Sequence, residues 1–230
     1  YNGFVTGSDM VWTPIGQNLE AYFLQFADKG KRYSFSPSLT GVNVLTEEQH
    51  VLIKKYIEGM DIISCREQEG VSYVQKNTAK KAVQTLDPTL LLTRDEWINE
   101  LNIEVQKEKD PYILCYMFGG LSRLHKREIS KIAKNRNLEI RYIPMDMEQK
   151  EQEIDNGYRM GYGPREFVSL FMNASFIITN TYHGLMFSLI SQKPFALVHR
   201  TKNNKWKSNE GRMSFILQMV GLSKRYIDPE

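Results

Sequence analysis

Hydrophobic and polar positions in the second half of the chain fall into two alternating kinds of segment. Tyr112 to Phe118 is a nearly unbroken apolar run stopped by Gly119-Gly120, the pattern of a strand buried on both faces. Residues 123–136 follow, with Leu124, Ile129, Ile132 and Ala133 on one helical face among Lys and Arg. Leu138 to Met145 reads as a strand and Asp146 to Gly163 as a polar loop. Pro164 then suits the first turn of a helix over about 165–174, apolar at Phe167, Val168, Leu170, Phe171 and Ala174. A strand over 175–180, a helix over 184–192 and a strand from Pro194 to Val198 complete the series. Strands and helices alternating at these lengths predict crossover units around a parallel sheet.

The first half repeats the pattern less fully. Phe4-Val5-Thr6 is a short strand, and Asn18 to Phe26 a helix with Leu19, Tyr22, Phe23 and Phe26 turned inward. Glu47 to Gly59 is a helix, Asp61 to Ser64 a strand, 67–78 a helix and Val83 to Leu86 a strand. The charged run Lys107-Glu108-Lys109-Asp110 reads as a connector, so the expected organisation is an α/β unit over 1–108 and a second over 109–210. The closing helix, Arg212 to Leu222, is expected to return within 211–230 onto the first unit. The chain opens at Tyr1-Asn2-Gly3 on the approach to a strand, from which we expect further sequence upstream.

Composition narrows the classes. Of 230 residues 41% are apolar and 25% charged, and 30 Lys plus Arg against 27 Asp plus Glu leaves +3, which is ordinary for a globular protein. That excess is too small for a dedicated nucleic-acid binder. No stretch approaches the roughly 18 apolar residues of a membrane helix. Cys65 and Cys115 are too few for a disulfide scaffold or a Cys-rich zinc site, and they fit a reducing, cytoplasmic setting. His50, His125, His183 and His199 lack ligand spacing, so no structural metal is expected. There is no phosphate loop, no GxGxxG, no HExxH and no nucleophile elbow.

In parallel α/β sheets ligands bind beyond the carboxyl ends of the strands, and here the turns after strands carry the chemistry. Gly7-Ser8-Asp9 follows the first strand, Cys65-Arg66-Glu67 follows Ser64, Asp87-Pro88-Thr89 follows Leu86, and Thr181-Tyr182-His183-Gly184 follows Asn180. Each has a structural reading beside the functional one. His183 either caps its helix or, at a helix N-terminus, meets an anion and donates a proton to it. Arg66 either pairs with Glu67 or Glu69 on a solvated face or clamps a carboxylate or phosphate. Asp87-Pro88-Thr89 is an Asx turn or part of a site, and Gly7-Ser8-Asp9 a helix start or part of a site. Glu166 either favours its helix dipole or accepts a sugar hydroxyl.

Taken in order, these turns resemble the polysaccharide pyruvyl transferase family. The carrying segments are Gly7-Ser8-Asp9-Met10-Val11-Trp12, Ser64 to Gly70, Asp87 to Leu92, Gly163-Pro164-Arg165-Glu166-Phe167 and Thr179 to Gly184, followed by Ser191 to Phe195 and Gly221-Leu222. Met10 stands where the family commonly has Gln, Thr13 where it has Asn, Glu67 where it has Asp and Thr181 where it has Ser.

The resemblance implies two Rossmann-like units in a glycosyltransferase-B-like arrangement, the N-terminal one short of its first strands. It further implies transfer of pyruvate from phosphoenolpyruvate, as donor substrate with no cofactor, onto two sugar hydroxyls to form a ketal. His183 and Arg66 are then the donor-holding, catalytic pair. Ser8, Asp9, Ser64, Asp87, Glu166, Asn180, Thr181 and Gly184 are the expected substrate-binding residues, with Glu166 or Asp9 taking the hydroxyl proton. The acceptor is a sugar, an oligosaccharide or a lipid-linked saccharide of bacterial surface-polysaccharide synthesis, and a lipid-linked one brings the chain to the inner face of a membrane. The basic run Arg200 to Lys207 with Trp206 is either a solvated loop or an approach to an anionic glycan or lipid head group. Two alternatives stand beside this reading: a nucleotide-sugar-dependent glycosyltransferase on the same architecture, and a non-catalytic glycan-binding or assembly protein.

Overall fold

The computed structural model describes residues 1–13, 18–105, 110–118, 123–143, 163–199 and 208–227. Most of the loop expected over 146–163, most of the 107–110 connector, Gly119-Gly120 and the basic run 200–207 lie outside the described residues. Two compact units divide between Leu91 and Leu92.

In the first unit four short strands, β1 (Phe4–Thr6), β2 (Arg32–Ser34), β3 (Ile63–Cys65) and β4 (Ala82–Gln84), alternate with α1 (Leu19–Tyr22), α2 (Glu47–Glu58) and α3 (Gln68–Asn77). β1 pairs in parallel with β2, and β3 with β4. A parallel bridge from Tyr33 to Ile62 and two serine hydroxyls join the pairs in the order β1-β2-β3-β4. Ser34 Oγ donates to the Ser64 carbonyl (3.0 Å) and accepts from the Ser64 amide (2.9 Å). Ser64 Oγ in turn donates to the Ser34 carbonyl and accepts from the Ser36 amide, both at 2.9 Å. These buried hydroxyls take the place of ladder bonds, as buried backbone groups require.

α2 begins at a reciprocal capping box between Thr46 and Gln49. The helix expected over 18–26 is only α1, capped by Asn18; Leu24 at φ 54 has left the helical region, and Tyr22 and Phe26 face solvent rather than the core. Leu19 and Phe23 do turn inward, and Phe23 stacks on Trp12 with ring centroids 4.5 Å apart.

The second unit holds a five-stranded, all-parallel sheet. Its strands are β5 (Tyr112–Tyr116), β6 (Glu139–Ile143), β7 (Phe176–Thr179), β8 (Phe195–Val198) and β9 (Tyr226–Ile227), in the order β6-β5-β7-β8-β9. The helices are α4 (Arg94–Glu100), α5 (Arg123–Arg136), α6 (Pro164–Asn173), α7 (Tyr182–Ser191) and α8 (Ser208–Met219). The architecture is therefore the α/β, parallel-sheet class that the alternation predicts.

The division at Leu91 falls earlier than the expected boundary at 108, because α4 packs within the second unit, with Trp97 edge-on to Phe187 of α7. Residues 211–227 also belong there: α8 lies against α7, and β9 extends the sheet beside β8, its Tyr226 stacked on His199.

Candidate functional site

Two clusters form at the carboxyl ends of these strands, one in each unit. In the second unit the chain leaves β5 for β6 on one side and returns to β7 on the other, so β5 and β7 flank a topological switch point, where open α/β sheets leave a ligand crevice. β7 ends at Thr179, and the turn Asn180-Thr181 leads directly into α7, which sets His183 in that helix's first turn.

The turn is locked from several sides. Thr179 Oγ1 donates to the Tyr116 carbonyl (2.7 Å) and accepts from the Thr181 amide (3.1 Å). Thr181 caps α7, its Oγ1 accepting from the Gly184 amide at 2.9 Å. Asn180 bridges the crevice: its Oδ1 accepts from the Phe118 amide (2.7 Å) and its Nδ2 donates to the Phe118 carbonyl (3.0 Å). At Gly184 an added Cβ would run into Thr179 Oγ1 and lie 2.6 Å from Thr181 Oγ1, so only glycine fits. Asn180, Thr181 and Gly184, read from the sequence as substrate-binding, thus shape the turn that carries His183.

His183 is half-buried at the positive end of the α7 dipole, a position that favours anions. The Arg212 guanidinium of α8, itself buried, lies 5.9 Å from the ring of Tyr182, the residue before His183, within cation–π range. Sequence reading passed over Arg212; its signal was a cation near the buried Met213 and Leu217 on the closing helix. Glu166, exposed at the third position of α6, has its carboxylate close over Gly163, where a Cβ would come within 2.8 Å of Oε2. Its placement is that of a carboxylate favouring its own helix terminus.

In the first unit Arg66 is the centre. Its side chain is 2% exposed and three carboxylates surround it: Nε donates to Glu67 Oε1 and Nη1 to Asp87 Oδ2, each at 2.9 Å, while Nη1 and Nη2 lie 3.5 Å from Asp9 Oδ1. Pairing with Glu67 was expected, but on a solvated face; the pair is buried instead. Asp87 is 1% exposed, and its other oxygen accepts from the Thr89 amide (3.0 Å) and Thr89 Oγ1 (2.7 Å). Burial alone would push the Asp87 carboxyl up, but the two bonds from Thr89 and the Arg66 guanidinium outweigh it and hold it below the usual carboxylate range. Asp9, with its side chain 60% exposed, is the member open to solvent.

Asp9 sits at φ 61 and ψ −162, a region close to glycine's own that costs about 1–3 kcal/mol and persists only where its surroundings enforce it. The Ser38 amide donates to the Asp9 carbonyl at 2.7 Å, and Ser8 Oγ donates to the Ser36 carbonyl at 2.6 Å. The Ser8 hydroxyl and the doubly engaged Ser64 hydroxyl, both expected as substrate-binding, hold the strand ends together. Thr89 and Glu67 were not among the expected site residues, although the Asp-Pro-Thr spacing of an Asx turn was a usable signal for Thr89.

Among the described residues no group of three His, Cys, Asp or Glu side chains is arranged to hold a metal ion, and no helix is long and apolar enough to cross a membrane. A polar cleft of about 420 Å³ is lined by Thr93, Arg94, Asp95, Ser191, Gln192 and Lys193. It lies at the C-terminal end of α7, about 15 Å along the helix from His183. That distance, and the negative sign of that helix end, separate it from the chemistry described above.

Fold and site together define an α/β protein of parallel sheets with polar clusters at the carboxyl ends of its strands. The model of a family described as polysaccharide pyruvyl transferase matches residues 1–199, and the chain belongs to that family. The family is one of transferases, and its name implies a polysaccharide acceptor. No curated protein matches the chain.

Proposed function

We infer that the chain transfers pyruvate from phosphoenolpyruvate to two hydroxyls of a saccharide, giving a cyclic ketal and inorganic phosphate, and that its units are the halves of a glycosyltransferase-B-like arrangement. The observation that carries this reading is His183 in the first turn of α7, at the switch point of the sheet, in a chain of this family.

A proton from His183 goes to the methylene carbon of phosphoenolpyruvate, which becomes a methyl group and leaves an oxocarbenium-like centre at the neighbouring carbon. One sugar hydroxyl adds there and gives up its proton to a carboxylate, for which Glu166 and Asp9 are the candidates. The bond to the phosphate oxygen breaks, and a second hydroxyl closes the ketal as phosphate leaves with that hydroxyl's proton. Nothing is oxidised or reduced, and no cofactor is consumed. A correctly placed proton donor contributes roughly 100- to 10,000-fold to such a step.

The α7 N-terminus and His183 supply the positive field that the donor's carboxylate and phosphate require.

A thermal-shift titration with phosphoenolpyruvate, inorganic phosphate and a set of nucleotide sugars, on the parent chain and His183→Ala, tests the reading. A ligand at about 100 times its Kd stabilises by roughly 2.7 kcal/mol. A shift with phosphoenolpyruvate that exceeds phosphate and is lost in His183→Ala is expected. A shift with nucleotide sugars alone would replace it with glycosyl transfer.

A further inference from the structure

α8 connects two neighbouring parallel strands, which decides the end of it that lies at the ligand-binding edge of the sheet. β8 leaves the sheet at Val198, and β9 runs parallel beside it with Leu197 opposite Tyr226. The helix between them must therefore run back across the sheet, starting at the carboxyl edge. α7 follows β7 in the same way and starts at the same edge. The two helices pack on each other within the second unit.

Arg212 is the fifth residue of α8, a little more than one turn from its start, and long helical side chains lean back toward the N-terminus. It is buried on the flank that also buries Met213 and Leu217. Its guanidinium lies over the Tyr182 ring at 5.9 Å, and that same ring meets the His183 imidazole edge-on, with centroids 5.6 Å apart and planes at 85°. One buried tyrosine at the start of α7 thus contacts both groups.

The helices themselves disfavour a cation here. Positive side chains stabilise helix C-termini, whereas Arg212 stands toward the positive ends of α7 and α8. A local choice that runs against its surroundings is characteristic of sites rather than of packing. The field that opposes the guanidinium attracts an anion, and an anion bound there is held by the guanidinium as well. The planar fork meets a phosphate through two parallel N–H bonds, which an ammonium cannot do.

We propose that Arg212 binds the phosphate group of phosphoenolpyruvate. This role rests on the pyruvyl-transfer reading, and Arg212 lies beyond the residues 1–199 that the family model matches. When the carbon–oxygen bond to phosphate breaks, its electron pair stays on the phosphate oxygen, and the guanidinium meets the charge that grows there. Arg212 itself exchanges no proton.

The test uses the full chain as parent, Arg212→Lys and Arg212→Met. Calorimetry gives the Kd for phosphoenolpyruvate, for inorganic phosphate and for pyruvate, which carries the carboxylate without the phosphate. Thermal unfolding of each protein reports whether the fold is kept. Arg212→Met should weaken phosphoenolpyruvate and inorganic phosphate about 10- to 100-fold, the loss of a charge-assisted hydrogen bond, and leave pyruvate within about twofold. Arg212→Lys keeps the charge but not the paired geometry, so the same two ligands should weaken about three- to tenfold, with pyruvate and the unfolding temperature unchanged.

Should Arg212→Met fail to fold, Arg212→Lys alone decides. Phosphate and phosphoenolpyruvate held as tightly by Arg212→Lys as by the parent overturn the proposal, and so does an equal loss of phosphate and pyruvate in either folded variant. A parent that binds none of the three ligands sinks the pyruvyl-transfer reading and this role with it. A parent that binds phosphoenolpyruvate while the variants depart from the pattern sinks the role of Arg212 alone.

Discussion

Replacing Arg66 by Met keeps most of the side-chain volume and removes the charge at the centre of the first unit. The guanidinium is 2% exposed, and Asp87 and Glu67, at 1% and 11%, depend on it. Breaking a buried ion pair by deleting one partner costs about 3–5 kcal/mol, because the other charge is left without compensation. For a chain of this length each kcal/mol is worth roughly 2–4 °C, so the transition of the first unit should fall by about 6–20 °C. Thermal unfolding followed by far-UV circular dichroism measures it. The double variant Arg66→Met/Asp87→Asn, which also removes the stranded charge, should recover at least ~1 kcal/mol as a coupling between contacting groups. Asp28→Asn, which breaks an exposed pair with Lys31, should change stability by less than ~1 kcal/mol. A loss below ~1 kcal/mol in Arg66→Met would refute the reasoning, since a residue kept only to meet a ligand could be removed without that penalty.

Other outcomes follow from single features. Gly184→Ala forces Thr179 and Thr181 apart and should cost about 1–3 kcal/mol from overpacking, whereas Gly211→Ala, open on every side within α8, should stabilise by ~0.5–1 kcal/mol in the same assay. Burial first, and the Glu67 charge second, push the Cys65 thiol up to about 12, so an alkylating reagent at pH 8 should leave Cys65 unmodified in the folded chain and label it in denaturant. Asp87 is held below its unfolded value near 3.9, so its contribution is present above that pH and is lost as pH falls through the lower folded value. Acid unfolding of Asp87→Asn should accordingly show a weaker pH dependence below about pH 4 than the parent.

The contrast between what the sequence displayed and what it hid has physical causes. Apolar runs mark β5, β7 and β8 because both faces of a parallel sheet are buried, with Pro111 and Gly119 bounding the first and Pro194 opening the last, and α5 keeps its predicted bounds, Arg123–Arg136. β2 escaped notice because its inward residues are Arg32 and Ser34, polar groups satisfied by hydrogen bonds that a hydropathy pattern does not register. α4 carried a capping box, Thr93 with Glu96, that could have been read. His183 was legible because a strand, a short turn and a helix follow one another directly in sequence. The surroundings of Arg66 were legible only as far as its neighbour Glu67. Its other two carboxylates lie 21 and 57 residues away, and only the fold brings them together.

We propose that the chain makes a pyruvyl ketal with His183 as proton donor. Incubating it with phosphoenolpyruvate and a mixture of methyl hexosides, and following released phosphate together with the mass of the sugars, tests that claim most directly. The parent should release one phosphate for each hexoside that gains the mass of a pyruvyl ketal, and His183→Ala should lose at least about 100-fold of that rate. Phosphate released without any change in sugar mass, or equal rates from parent and His183→Ala, would contradict it.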